Sequence, residues 1–139
     1  MPCLRGSFDP RTGIPLIKVM VFPPGTCVLG GPPPVLGMEV NALLDTGTRT
    51  TCITPEIVQG LHLSPPQSTR QLSGAMQAGT ANVHYIDLVL PLNAAGLHPS
   101  LEVLELGIHY DSLQVLIGLD ILCRGVFTMS FDGHFTLAI

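Results

Sequence analysis

The chain has 139 residues, enough for one domain around one core. Apolar side chains make up 46% and charged ones only 12%, which excludes a disordered or solvating chain, since such chains lack the apolar surface that offsets ordering entropy. Six basic against ten acidic residues give a net charge of −4, so no basic stripe is present to neutralise phosphates and nucleic acid is not an expected partner.

Residues 1–5 carry neither the charged start nor the apolar run of a secretory signal. The apolar stretch 14–22 is interrupted by Pro15 and Lys18 and falls short of the roughly 20 residues a membrane span needs. Four cysteines (Cys3, Cys27, Cys52, Cys123) form no C-x-x-C pair, and free thiols in a reducing compartment are the plain reading. The expectation is a cytoplasmic protein without a membrane span. With so little charge for its surface, it is expected to cover apolar area in an oligomer interface or a ligand cleft.

Glycine and proline cut the chain into short pieces. Strand-like runs are predicted at 16–22, 35–44, 50–53, 82–90, 101–106 and 115–117, with a Pro/Gly-rich surface loop at 23–34 between the first two. Residues 126–131 and 134–139 flank Asp132-Gly133, the dipeptide that suits a two-residue type I′ hairpin turn. Thr54 and Pro55 are placed as N-cap and first residue of a two-turn helix reaching Leu61, and a second short helix is predicted over 119–124, ended by Gly125. Many short strands with two helical turns predict a small all-β barrel or sandwich.

One cluster could carry chemistry. In Ala42-Leu43-Leu44-Asp45-Thr46-Gly47-Thr48 an aspartate follows an apolar strand directly and enters a tight turn. Taken alone, an ordinary turn with an aspartate-to-backbone hydrogen bond explains it equally well. Further on, Val115-Leu116-Ile117-Gly118 is an apolar strand broken by glycine, followed by Leu119-Asp120-Ile121-Leu122.

In this order the two motifs resemble those of the retroviral-type, single-lobe aspartic proteases (retropepsins), over residues 35–139. The resemblance implies a small closed β-barrel with one or two short helices. It assigns Asp45, Thr46 and Gly47 to the catalytic triplet, and Ile117 and Gly118 to the second motif that supports it. Residues 1–34 are read as a strand and loop of the same domain outside the resemblance.

The chemistry has its own requirement. Hydrolysing a peptide with neither metal nor cofactor needs one carboxylate to take a proton from water and one acid to protonate the carbonyl oxygen. Two carboxyls about 3 Å apart do both, because they cannot both ionise and so share a proton. Asp9, Asp87, Asp111, Asp120 and Asp132 lack the turn context, so the second aspartate must come from an identical subunit. The expected protein is a homodimeric aspartic endopeptidase acting on extended peptides with bulky apolar residues beside the cleaved bond. The rival reading keeps the fold as a silent dimerising, peptide-binding module. By resemblance, the Thr46 hydroxyl reaches across the axis to the partner's backbone, and residues 68–80, with Gly74, Ala75, Met76 and Gly79, form a flap hairpin over the substrate.

Other motifs are weaker. The five histidines show no metal-ligand spacing, and Asp111-Ser112 near His109 lacks a nucleophile elbow. The chain departs from the retroviral pattern where an acid–arginine pair ties the catalytic turn to the second motif. Those positions are Arg49 and Leu119 here, so a charge-reversed pair between Arg49 and Asp120 is predicted; the alternative is that Arg49 points into solvent and Asp120 merely caps the helix N-terminus.

Overall fold

Alternation of buried and exposed side chains builds most of the strands. The computed structural model describes residues 2–73, 78–107 and 112–139. Its elements run β1 (Cys3–Ser7), β2 (Leu16–Phe22), β3 (Met38–Leu44), β4 (Cys52–Ile53), α1 (Pro55–Gly60) and β5 (Ser68–Ser73). They continue with β6 (Ala78–Val89), β7 (Leu97–Glu105), β8 (Val115–Ile117), α2 (Leu119–Leu122), β9 (Val126–Met129) and β10 (His134–Ala138). Ile17, Val19 and Val21 of β2 and Val40, Ala42 and Leu44 of β3 are buried in one core with Val115, Ile117 and Ile121. Their intervening residues are exposed or half-buried, the period of two that a strand imposes.

The larger sheet has the order β2-β3-β8-β4-β7-β6-β5, and β2 also pairs with β6. That pairing closes six strands into a small barrel and leaves β5 attached through β6 alone. The expected all-β barrel with two short helices is the observed architecture. β3 and β8 run parallel, with Leu44 beside Ile117, so the ends of the two sequence motifs are brought together on neighbouring strands. β4 lies antiparallel to β8 and parallel to β7.

A second sheet, β1-β10-β9, joins the first described strand to the last. Sequence reading missed β1, and the pairing explains why. Gly6 lies opposite Phe135, and a Cβ there would collide with the phenylalanine ring, so β1 carries a gap where a strand-forming side chain is expected. Phe8 and Phe127 pack on Phe135 with ring centroids 6.5 and 6.4 Å away.

The terminal hairpin forms, but with a different turn. Met129 pairs with Phe135, the Ser130 N–H reaches the His134 carbonyl at 2.8 Å, and the Gly133 N–H bonds back to the Ser130 carbonyl at 3.1 Å. Only Gly133 of the connection has positive φ, +93°, so the loop is a three-residue turn closed by a left-handed glycine instead of type I′, which needs two such residues.

The Pro/Gly-rich loop is anchored from below. β7 carries an extra residue opposite Asp87, between the pairs Ile86–Leu101 and Leu88–His98. Ser100 takes positive φ (+46°) there and donates its N–H to Asp87 Oδ1 at 2.8 Å. The same fully buried carboxylate accepts the N–H groups of Gly25 at 2.9 Å and Cys27 at 2.8 Å.

Candidate active site

Asp45 follows the last residue of β3. Its N–H donates to the Ile117 carbonyl at 2.9 Å, extending the β3–β8 ladder by one bond before the chain turns away. The side chain then organises the turn: Oδ1 accepts the Gly47 N–H at 2.8 Å and Oδ2 accepts the Thr48 hydroxyl at 2.8 Å. The carboxylate is half-buried, while Thr46 and Gly47 are exposed. Both carboxylate oxygens are thus oriented from one side by the loop that carries them. Sequence reading did not single out the Thr48 hydroxyl, although a hydroxyl three residues after a turn aspartate is a recognisable partner.

Gly118 explains why the second motif needs glycine. A Cβ at this position would meet the Thr48 carbonyl oxygen at 2.8 Å and the Thr50 and Arg49 carbonyl carbons at 3.0 and 3.1 Å. All three are backbone atoms that cannot rotate away, so the 45–51 loop packs on Gly118 only because no side chain intervenes. α2 then starts beneath the loop. Its first N–H groups, orphaned in any helix, find loop acceptors: Leu119 donates to the Thr48 carbonyl at 2.8 Å and Asp120 to the Arg49 carbonyl at 3.0 Å.

The expected Arg49–Asp120 ion pair does not form. Arg49 is exposed, and among the described residues no ion pair joins it to a carboxylate. Asp120 turns instead to buried Thr51, taking its N–H at 2.9 Å and its hydroxyl at 2.8 Å. The physical reason is that a carboxylate is satisfied by N–H and O–H donors as fully as by a guanidinium, and an exposed arginine needs no partner.

Cys52, the residue after Thr51, feels the charges of both Asp120 and Asp45. Its thiol donates to the Thr50 carbonyl at 3.2 Å. Burial first, and then the charges of Asp120 and Asp45, push the thiol up to about 11, so it stays protonated.

The flap assignment is covered in part. β5 and β6 form an antiparallel hairpin in register from Ser68–Val83 to Ser73–Ala78, with Gly79 opposite Leu72. Gly74, Ala75 and Met76 lie outside the described residues. Two surface clefts of about 350 and 400 Å³ open elsewhere, one beside His62, His84 and Ser100, the other under the Pro/Gly-rich loop by Phe22 and Val28. Neither of these two clefts is lined by Asp45, Thr46 or Gly47. Among the described residues no group of three or more His, Cys, Asp or Glu could hold a metal ion, and no helix is long and apolar enough to cross a membrane.

A family profile described as "Aspartyl protease" matches residues 27–121. A solved structure described as a retropepsin-like aspartic protease from Rickettsia conorii is similar with a TM-score of 0.64 and 16% identity, over 97% of this chain and 89% of that one. At that identity the likeness speaks for the fold. A search among curated proteins finds no match. The profile spans most of the chain, including the Asp45 turn and Gly118, and the chain therefore belongs to the aspartyl protease family, with the retropepsin-like fold.

Proposed function

We propose that the protein is an aspartic endopeptidase that acts as a homodimer, Asp45 of each subunit supplying half of the catalytic dyad. The observation that carries this reading is the Asp45 carboxylate. It is half-buried at a strand end and held on both oxygens by its own loop, in a chain with a single Asp-Thr-Gly. One such loop is half a site, and a two-fold axis beside the exposed Thr46 and Gly47 would complete it.

In the completed site a water lies between the two carboxyls. One Asp45 is ionised and takes a proton from the water as its oxygen attacks the peptide carbonyl carbon. The partner's Asp45 is protonated and gives its proton to the carbonyl oxygen, leaving a neutral tetrahedral diol. Collapse of the diol returns a proton to the leaving nitrogen, breaks the C–N bond and regenerates a dyad sharing one proton. The substrate enters extended, as an added strand under the β5–β6 hairpin, with apolar side chains in alternate pockets.

The test is hydrolysis of a mixed peptide library at mildly acidic pH by wild type and by Asp45→Asn. Wild type should cleave beside bulky apolar residues, and the variant should stay folded and dimeric without cleaving. Specific activity should fall on dilution as dimer dissociates. A folded wild type that binds these peptides and hydrolyses none of them overturns the reading in favour of a silent peptide-binding module. Full activity from a monomer in sedimentation overturns the shared dyad.

A further inference from the structure

Asp120 belongs to α2, not to the catalytic turn, yet its side chain is committed to the catalytic loop. The carboxylate accepts the Thr51 N–H at 2.9 Å and the Thr51 hydroxyl at 2.8 Å, besides the N–H of its helix neighbour Ile121 at 3.0 Å. The Thr51 oxygen in turn accepts the Gly118 N–H at 3.2 Å. Thr51 is fully buried, so these bonds form away from competing water. The 45–51 loop is therefore held at one end by the Asp45–Ile117 ladder bond and at the other by Thr51 on Asp120.

We infer that Asp120 is a positioning residue for Asp45: through Thr51 and Gly118 it fixes where the catalytic loop lies against α2, without touching substrate. This rests on the proposed protease reading, and it adds to it a requirement on geometry. A dyad works only when two carboxyls from separate loops meet at about 3 Å, so an error in either loop is felt at the reacting water. Simple capping of α2 would need only the Ile121 bond. It would not explain two bonds to a residue sixty-nine positions away in the loop.

The experiment compares Asp120→Ala, Asp120→Asn, Thr51→Val, Thr51→Ser and the double variant Thr51→Val/Asp120→Ala in peptide hydrolysis, with kcat and KM separated. Sedimentation and thermal melts are run on each variant. Asp120→Ala and Thr51→Val should lower kcat by about 10–100-fold with KM changed less than about threefold, the pattern of a misplaced reacting group. The double variant should lose no more than the worse single, because each residue acts through the other. Thr51→Ser, which restores the hydroxyl, should recover most of the rate. Asp120→Asn keeps one acceptor oxygen, gives the same readout in the event that Asp120→Ala does not fold, and its kcat should fall between those of wild type and Thr51→Val. Wild-type kcat in folded, dimeric Asp120→Asn and Thr51→Val, or losses that multiply in the double variant, would overturn the proposal while leaving an active wild type and the protease reading intact. A wild type that hydrolyses nothing overturns both, and is told apart by needing no variant.

Discussion

Arg124, just past α2, donates from Nη1 to Nδ1 of the buried His98 in β7 at 3.1 Å, and from Nε to the Asp120 carbonyl at 2.9 Å. An arginine gives up no proton, so Nδ1 must be the acceptor and the imidazole proton sits on Nε2. That Nε2 is buried with no hydrogen-bond partner among the described residues. Burial first, and then the Arg124 charge, push the His98 pKa down, with Asp120 opposing in part.

The consequence is a stability that falls with acidification. Between the lowered folded value and the ordinary value of 6.5, the unfolded chain binds a proton at His98 that the folded chain refuses. Stability therefore rises with pH across that window, levels off above it, and is lost as pH drops below about 6.5. Urea midpoints measured downward from about pH 7.5 should fall in wild type more steeply than in His98→Asn, which keeps an acceptor for Arg124 and does not titrate. Equal slopes in the two proteins would show that His98 is not the group responsible.

Which features the sequence made legible depends on whether their cause is local. Leu16–Phe22 and Val115–Ile117 end where they are predicted, because apolar runs between breaks in the pattern leave little choice. Asp45 and Gly118 were legible as a pair, and Leu44 beside Ile117 is the reason they belong together. Thr51 and Asp87 were not: a polar residue in an apolar stretch reads as the solvent face, and only partners far along the chain make it a core member. The Arg49 expectation failed similarly, since matching charges by position ignores the uncharged donors that reach Asp120 first.

Thr48 should matter to rate more than to stability. Its hydroxyl is the only side-chain donor to Asp45 Oδ2 among the described residues, and Thr48→Val removes it with little change of volume. A hydrogen bond to a charged group is worth about 1.5–3 kcal/mol, so kcat should fall roughly 10–100-fold if the bond orients the reacting carboxylate. KM for a good peptide should move little, and Thr48→Ser should retain activity. Steady-state kinetics on the three proteins decides it.

Gly118→Ala tests the close packing of loop on helix. The added methyl must displace the Thr48 carbonyl, 2.8 Å away, or push α2 outward, and overpacking of this kind costs about 1–3 kcal/mol. Activity should fall further than the fraction folded, because the displaced backbone is the one that carries Asp45. Chemical denaturation set beside kcat checks both halves. A variant of unchanged stability would mean that the loop yields freely.

Asp87 should control the Pro/Gly-rich loop and the acid limit of the fold together. Burial would raise its pKa, but the N–H groups of Ser100, Cys27, Gly25 and Thr26 outweigh that and the net direction is down from 3.8. The folded state thus favours the ionised form, and the stabilisation is fully present above the unfolded value and lost as pH falls through the lower folded one. Removing the carboxylate in Asp87→Ala orphans the N–H groups of Gly25, Cys27 and Ser100. Hydrogen bonds to a charged acceptor are worth about 1.5–3 kcal/mol each, but Gly25 and Ser100 are exposed and Cys27 half-buried, so water takes up part of the freed N–H groups and the loss should be roughly 2–4 kcal/mol. Asp87→Asn keeps one acceptor oxygen and should lose less, but its stability should no longer respond to pH below 3.8 through this position. Hydrogen exchange at Cys27 and Ser100 gives the local readout: both amides should exchange faster in Asp87→Ala, while those of Val19 and Ile117 in the barrel change only as far as global stability does. Protection retained at Cys27 in Asp87→Ala would mean that the loop is held by its own turns and not by the carboxylate beneath it.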